Sequence, residues 1–213
     1  MMTAELALFA DSVVRAVPLI LTGLAVALAF RAGVFNIGAE GQFLVGAAAA
    51  AATSIKLASF PGVATIIIAL TSGAIAGAFW AAIAAELRRR FHVLEIISTI
   101  MLNFIALYLI SFVVRGPLQE PTHIYPQTES LAEAARLPII MPGTRLHAGI
   151  VIAIIVAILL SWIFRNTAIG FRIRAIGAGP RAAQTAGMID VERLSWAVFL
   201  WSGAIAGLAG AIE

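Results

Sequence analysis

Cysteine is absent from the 213 residues, which excludes disulfides and thiolate metal sites. Lysine occurs once, at Lys56, and leucine follows it, so there is no G-x-x-x-x-G-K-[ST] phosphate loop. The three histidines, His92, His123 and His147, are scattered without metal-ligand spacing, and no serine nucleophile elbow is present. Neither a catalytic residue nor a metal site is therefore expected. Charge is also scarce: 12% of residues are Asp, Glu, Lys or Arg, where soluble domains carry roughly a quarter. The arginines behind the net charge of +3 sit in short segments between apolar runs rather than along one basic face, which argues against a nucleic-acid partner.

What the chain does have is apolar length. Hydrophobic residues make up 62% of it and the mean hydropathy is +1.01, the composition of a membrane protein. A spanning helix needs roughly 17 to 25 mainly apolar residues. Six segments qualify, near 12–31, 34–54, 63–85, 93–114, 148–164 and 194–212. All are read as helices, because open backbone in lipid satisfies its hydrogen bonds no other way, and the period-two alternation of a barrel is missing. The expected fold is an all-α, polytopic transmembrane bundle. Glu5 and Asp11 precede the first apolar run, which is not the positive start of a cleaved signal.

Arginine placement sets the orientation. "ELRRRFH" puts Arg88, Arg89 and Arg90 between the third and fourth segments, and Arg165, Arg172, Arg174, Arg181 and Arg193 lie between the fifth and sixth. Both loops are then cytoplasmic, and the proline-rich stretch 115–147 faces outward. The same parity puts the N-terminal tail outside, which one further span upstream would resolve, and the chain stops at Glu213 directly after an apolar run. A single membrane domain over 1–213, incomplete at both ends, is the expectation. "SGAIAG" occurs at 72–77 and again at 202–207, in segments running in opposite directions. An inverted repeat would give that, and so would chance recurrence of small residues. On either reading Gly73 with Gly77, and Gly203 with Gly207, form faces for close helix packing.

Polar residues inside these runs need a reason. In "VFNIGAEGQFLVGA" Asn36, Glu40 and Gln42 stand at the mouth of an apolar segment, with Gly38 and Gly41 weakening the helix there. A carboxylate at the bilayer centre costs at least about 2.5 kcal/mol, so Glu40 must pair, protonate or face water. One reading is a broken helix whose polar groups face a cavity; the other is an interfacial cap. In the fourth segment Glu95, Thr99 and Asn103 step by four, with Ser98 beside them, and form one polar stripe facing the bundle interior. Substrate contact competes there with an ion pair from Glu95 to the arginine triplet and with interhelical hydrogen bonding by Asn103. "GAGPRAAQTAG" at 177–187 reads as a short helix begun by Pro180, with Ala182, Ala183 and Ala186 on one face and Arg181 beside them, and suits docking of a partner.

Four motifs in order, "RAGVFNIGAEGQFLVGA", "LEIISTIMLNFIALYL", "TRLHAG" and "GAGPRAAQTAGM", resemble the permease subunits of bacterial ABC importers of the branched-chain amino acid, ribose and simple-sugar class. The nearest likeness is to nucleoside and simple-sugar permeases. That resemblance implies a permease without enzymatic activity of its own, in the bacterial plasma (inner) membrane, surrounded by lipid. Its partners would be an ATP-binding cassette subunit that carries ATP and Mg, a second permease subunit and an extracytoplasmic substrate-binding protein received by the outer segment. Asn36, Glu40 and Gln42 would belong to the translocation route or its structural support; Glu95, Thr99 and Asn103 are candidates for the same pathway on their spacing alone. Pro180, Arg181, Ala182, Ala183, Ala186 and Gly187 would form the helix coupled to the ATPase. Gly179 departs from the asparagine usual before that proline, and relatives carry spans before and after this stretch. The competing readings are an ion-coupled secondary transporter or channel using Glu40 or Glu95, and a scaffold that transports nothing.

Overall fold

The computed structural model describes residues 4–186 and 189–213. Eight α-helices form among the described residues: α1 (Ala4–Arg31), α2 (Ala39–Lys56), α3 (Gly62–Phe91), α4 (Glu95–Arg115), α5 (Gly149–Asn166), α6 (Ala168–Ala178), α7 (Pro180–Thr185) and α8 (Val191–Ile212). Of these, α1, α3, α4, α5 and α8 are long and apolar enough to cross a membrane. The second of the six expected spans is the exception: α2 has 18 residues but includes Glu40, Gln42 and Lys56, and it starts at Ala39 rather than near 34. Residues 34–37 are non-helical.

Two further differences from the sequence reading have local causes. The arginine triplet does not form a loop but completes α3, where Glu86 pairs with Arg89 at 2.7 Å and with Arg90 one turn on. His92, in the left-handed region at φ 54°, ends that helix. The stretch after α5 turns and becomes helical again as α6 because Thr167 caps it, its Oγ1 accepting from Gly170 N at 3.1 Å. Asp190 caps α8 in the same way, accepting from Arg193 N at 3.0 Å, and Pro180 opens α7 at its first turn.

Small residues set the packing. Along the α3–α8 contact, Gly73 faces Ala211, Gly77 faces Gly207, and Ala81 faces Gly203, so the two "SGAIAG" copies lie antiparallel against each other. A Cβ on Gly77 would stand 2.6 Å from Gly207 Cα, and Gly46 of α2 meets the Gly207 backbone from the other side. Backbones this close gain dispersion contacts that larger side chains would forbid, which is how helices associate where lipid removes the hydrophobic drive. The serine of each copy takes a polar bond from the α2 region: Thr53 Oγ1 near the end of α2 donates to Ser72 Oγ at 3.0 Å, and Asn36 Nδ2, in the non-helical stretch before α2, donates to Ser202 Oγ at 2.8 Å.

One end of the bundle gathers Arg31, Arg88, Arg165, Arg174 and α7, the end that the arginine rule expects on the cytoplasmic side. At the other end, segment 116–148 packs over the ends of α2, α3 and α8 and is held by isolated bridges, Gln119 with Thr128 and Ile139 with His147. Within it Glu120 accepts from Gln127 Nε2 at 2.7 Å, Thr122 Oγ1 at 2.8 Å and Tyr125 N at 3.2 Å. These bonds, Gln127's first, hold the Glu120 carboxyl below the usual carboxylate range. A depressed native pKa contributes stability above the unfolded value and loses it as pH falls through the native one. The protection of Glu120 N, which donates to Gln127 O, measured relative to the intrinsic exchange rate at each pH, should therefore fall as pH drops below the ordinary carboxylate range. Glu120→Gln should flatten that dependence, and an unchanged profile would assign the hairpin's order to other contacts.

Candidate functional site

The site grows from the missing cap of α2. Gly38 occupies the N-cap position and has no side chain to accept the orphan amides of the first turn. Other residues supply the acceptors. Asn36 Oδ1 accepts from Gly38 N at 3.0 Å, and from the neighbouring helix Asn103 Oδ1 accepts from Gly41 N at 2.9 Å. Asn103 Nδ2 also donates to Ile37 O at 3.0 Å, so one side chain of α4 holds both the non-helical stretch and the helix that follows it.

Beneath this cap lies a closed polar knot. Asn36 Nδ2 donates to Gln42 Oε1 at 2.9 Å, Gln42 Nε2 returns a bond to Asn36 Oδ1 at 3.0 Å, and Ser202 Oγ donates to the Ala25 carbonyl at 2.6 Å. Asn36 and Ser202 are 0% exposed and Gln42 1%, so each of these groups needed a protein partner and has one. The knot ties α1, α2 and α8 at one point. Thr99, also buried, turns its Oγ1 to its own helix at Glu95 O, 2.7 Å away, and presents its Cβ to Gly38. Glu95 is half-buried; its Oε1 lies 3.2 Å from Arg88 Nη1 and accepts from Phe35 N at 3.4 Å.

Five of the six pathway candidates, Asn36, Gln42, Glu95, Thr99 and Asn103, thus converge on residues 35–42, and their polar atoms are engaged with protein. Glu40 does not join them: it is exposed in the first turn of α2 and makes no side-chain hydrogen bond or ion pair among the described residues. Ser202 escapes sequence reasoning because a single serine in an apolar span has no spacing to mark it. The available signal was its place as the first residue of a repeated hexamer. Replacing Asn103 with Leu should leave Gly41 N unsatisfied, a loss of about 1 to 3 kcal/mol. The melting temperature of the assembled protein should fall accordingly, and an unchanged one would mean that Gly41 N finds another acceptor.

At the arginine-rich end, α7 turns Ala183 into the core, in one apolar cluster with Ala32, Val34, Ile173, Ile176 and Phe199. Arg181, Ala182 and Ala186 are exposed, as is Pro180, whereas Gly187 lies outside the described residues. Ala183 therefore does not share the outward docking face expected for it, since burial against α6 and α8 takes its side chain. Gly177 of α6 sits on the Arg31 carbonyl and beside Gly33, so α6 bears directly on the α1–α2 junction. A cavity of about 550 Å³ separates α7 from the α3–α4 turn and is bordered by Arg88, His92, Glu95, Gln184, Glu192 and Trp196.

Several apolar spans, a helix whose start is held by polar groups from its neighbours, and a short helix presented at the arginine-rich end define a multi-pass membrane protein of the transporter type. The chain belongs to the family described as branched-chain amino acid transport system / permease component, whose model matches residues 8–213. It is 40% identical to the glucose ABC transporter permease protein TsgB13 of Haloferax volcanii, over 95% of this chain and 56% of that protein. Identity is also 40% with the guanosine ABC transporter permease protein NupP of Bacillus subtilis, over 95% of this chain and 58% of the relative. With the nucleoside ABC transporter permease protein NupB of Lactococcus lactis it is 32%, over 92% and 56%. The chain spans just over half the length of these curated relatives. No solved structure matches it.

Proposed function

We propose that this chain forms part of the membrane-spanning subunit of an ATP-driven importer of nucleosides or simple sugars, in which ATP and Mg are bound by a separate cassette subunit. A second permease subunit and an extracytoplasmic binding protein complete the assembly, and the membrane is the plasma membrane. The observation that carries this reading is the continuous packing from α7 through Ala183, Ile176 and Gly177 to residues 31–36, where the Asn36 knot fixes the start of α2. A push on α7 by a nucleotide-driven partner would reach α2 through packed backbone, which transmits displacement because close-packed contacts do not deform continuously. Asn36, Gln42 and Thr99 act as supports of the broken segment, and Glu40, which stands free at its mouth, faces the route. The names of the relatives, guanosine, nucleoside and glucose permeases, support a small polar solute. A gradient-driven carrier based on Glu95 is disfavoured because that carboxylate is already engaged with Arg88 and Phe35 N.

The test lies on the exposed face of α7. Arg181→Glu with Ala182→Glu changes two outward side chains and leaves the buried Ala183 in place. In the reconstituted transporter, solute uptake per ATP hydrolysed should fall at least about tenfold, the effect of losing roughly 1.4 kcal/mol of coupling, while the protein remains assembled. Unchanged uptake per ATP would remove α7 from the coupling path.

A further inference from the structure

Between α1, α5 and α6 a groove of about 510 Å³ opens at the arginine-rich end. Its wall is apolar, made by Leu24 and Ala27 of α1 and Ala157 and Leu160 of α5. At its mouth stand Arg31, Arg165 and Arg174, and no carboxylate lines it. Arg88, Arg89, Arg90 and Arg193 at the same end each have an acidic partner, whereas these three, like Arg172 and Arg181, have none among the described residues, and only these three share an apolar groove. Three guanidinium groups therefore line one groove without local neutralisation. Arg31 is steadied by the Phe164 ring, its Cζ 5.8 Å from the centroid, rather than by an anion.

Position narrows what can neutralise them. Leu24 to Arg31 is a run of about 10 Å along a helix, so the groove leads from hydrocarbon depth to the headgroup level. A soluble anion would meet the arginines and leave the apolar wall wet. An anionic phospholipid satisfies both, and basic pockets between spanning helices on the cytoplasmic side have the chemistry for such headgroups. We infer that this groove holds an anionic phospholipid of the cytoplasmic leaflet, its phosphodiester between Arg31, Arg165 and Arg174 and an acyl chain along Leu24, Ala27, Ala157 and Leu160. The lipid then braces α6 against α1 and α5, and α6 is the element that carries α7. This assignment rests on the membrane orientation and on the groove, not on the identity of the solute.

Native mass spectrometry of the intact transporter carrying this chain, with phosphatidylglycerol or phosphatidylcholine added, tests it. The wild type should retain phosphatidylglycerol in preference to phosphatidylcholine. Arg165→Gln with Arg174→Gln should weaken that retention about thirtyfold, the effect of two arginines at a lipid surface. Arg136→Gln with Arg145→Gln, which removes the same charge from the outer segment, should leave it intact. Equal retention of the two lipids, or equal loss in both variants, would overturn the assignment. Displacement of the lipid by inorganic phosphate alone would do so too, in favour of a soluble anion; absence of any bound lipid would do so in favour of an acidic partner surface. Should the inner variant fail to assemble, wild-type melting decides: Tm should rise with phosphatidylglycerol and not with phosphatidylcholine, and equal Tm values contradict the site.

Discussion

A leucine at Gly207 should prevent the bundle from assembling. Gly207 is the point where α8 meets two helices at once: a Cβ there would enter the Gly73 carbonyl and stand 2.8 Å from Gly77 Cα, while Gly46 presses from α2. The three atoms nearest to that Cβ are all backbone, which has no rotamer to change. Overpacking in a core ordinarily costs about 1 to 3 kcal/mol, and a collision with two helix backbones belongs at or above the top of that range. The expected result is loss of the monodisperse, detergent-extracted protein, seen as aggregation in size-exclusion chromatography. Gly23→Leu supplies the control, since a Cβ at Gly23 meets nothing within 4 Å. Normal assembly of Gly207→Leu would mean that α2, α3 and α8 do not pack through this contact.

The second large effect concerns the polar knot. Asn36→Leu removes both bonds between Asn36 and Gln42, the donor to Ser202 and the acceptor for Gly38 N. Each buried group left unpaired costs about 1 to 3 kcal/mol, so the sum is enough to lower Tm by ten degrees or more or to release the start of α2. The informative comparison is with Asn36→Leu combined with Gln42→Leu. Removing both partners takes the orphaned amide with it, and the pair should be less damaging than the single change predicts, because apolar groups of similar shape replace a satisfied polar pair at little cost. Strict additivity in Tm would separate the two residues and dissolve the knot as a unit.

How much of this was legible in the sequence differs from element to element. The apolar runs identified the all-α membrane class and the approximate place of five of the six expected spans, and the arginines of the two expected loops do gather at one end of the bundle with α7. Boundaries went astray where polar tertiary contacts decide. The start of α2 moved to Ala39 because its first-turn amides are capped by Asn36 and Asn103 rather than by a local side chain, and no local pattern announces a cap supplied by another helix. Similarly α6 hides in an arginine-rich stretch, although Thr167 before it and Ile169, Ile173 and Ile176 along it carry helical signals. In the candidate site the Glu95, Thr99, Asn103 stripe was readable from its spacing of four. What spacing could not say is that Thr99 bonds within its own helix while Asn103 reaches across to α2. Ala183 shows the limit most clearly: three alanines share one face on paper, and the core takes one of them.

The central claim is that solute movement through this subunit is driven by nucleotide in a partner. It is tested most directly by loading proteoliposomes of the intact transporter with guanosine or glucose outside and ATP in the compartment facing the cassette subunit, then collapsing the proton and sodium gradients with ionophores. Accumulation that requires ATP and persists after the collapse is the result expected here. Accumulation that continues without ATP and vanishes with the gradients would make the chain part of an ion-coupled carrier.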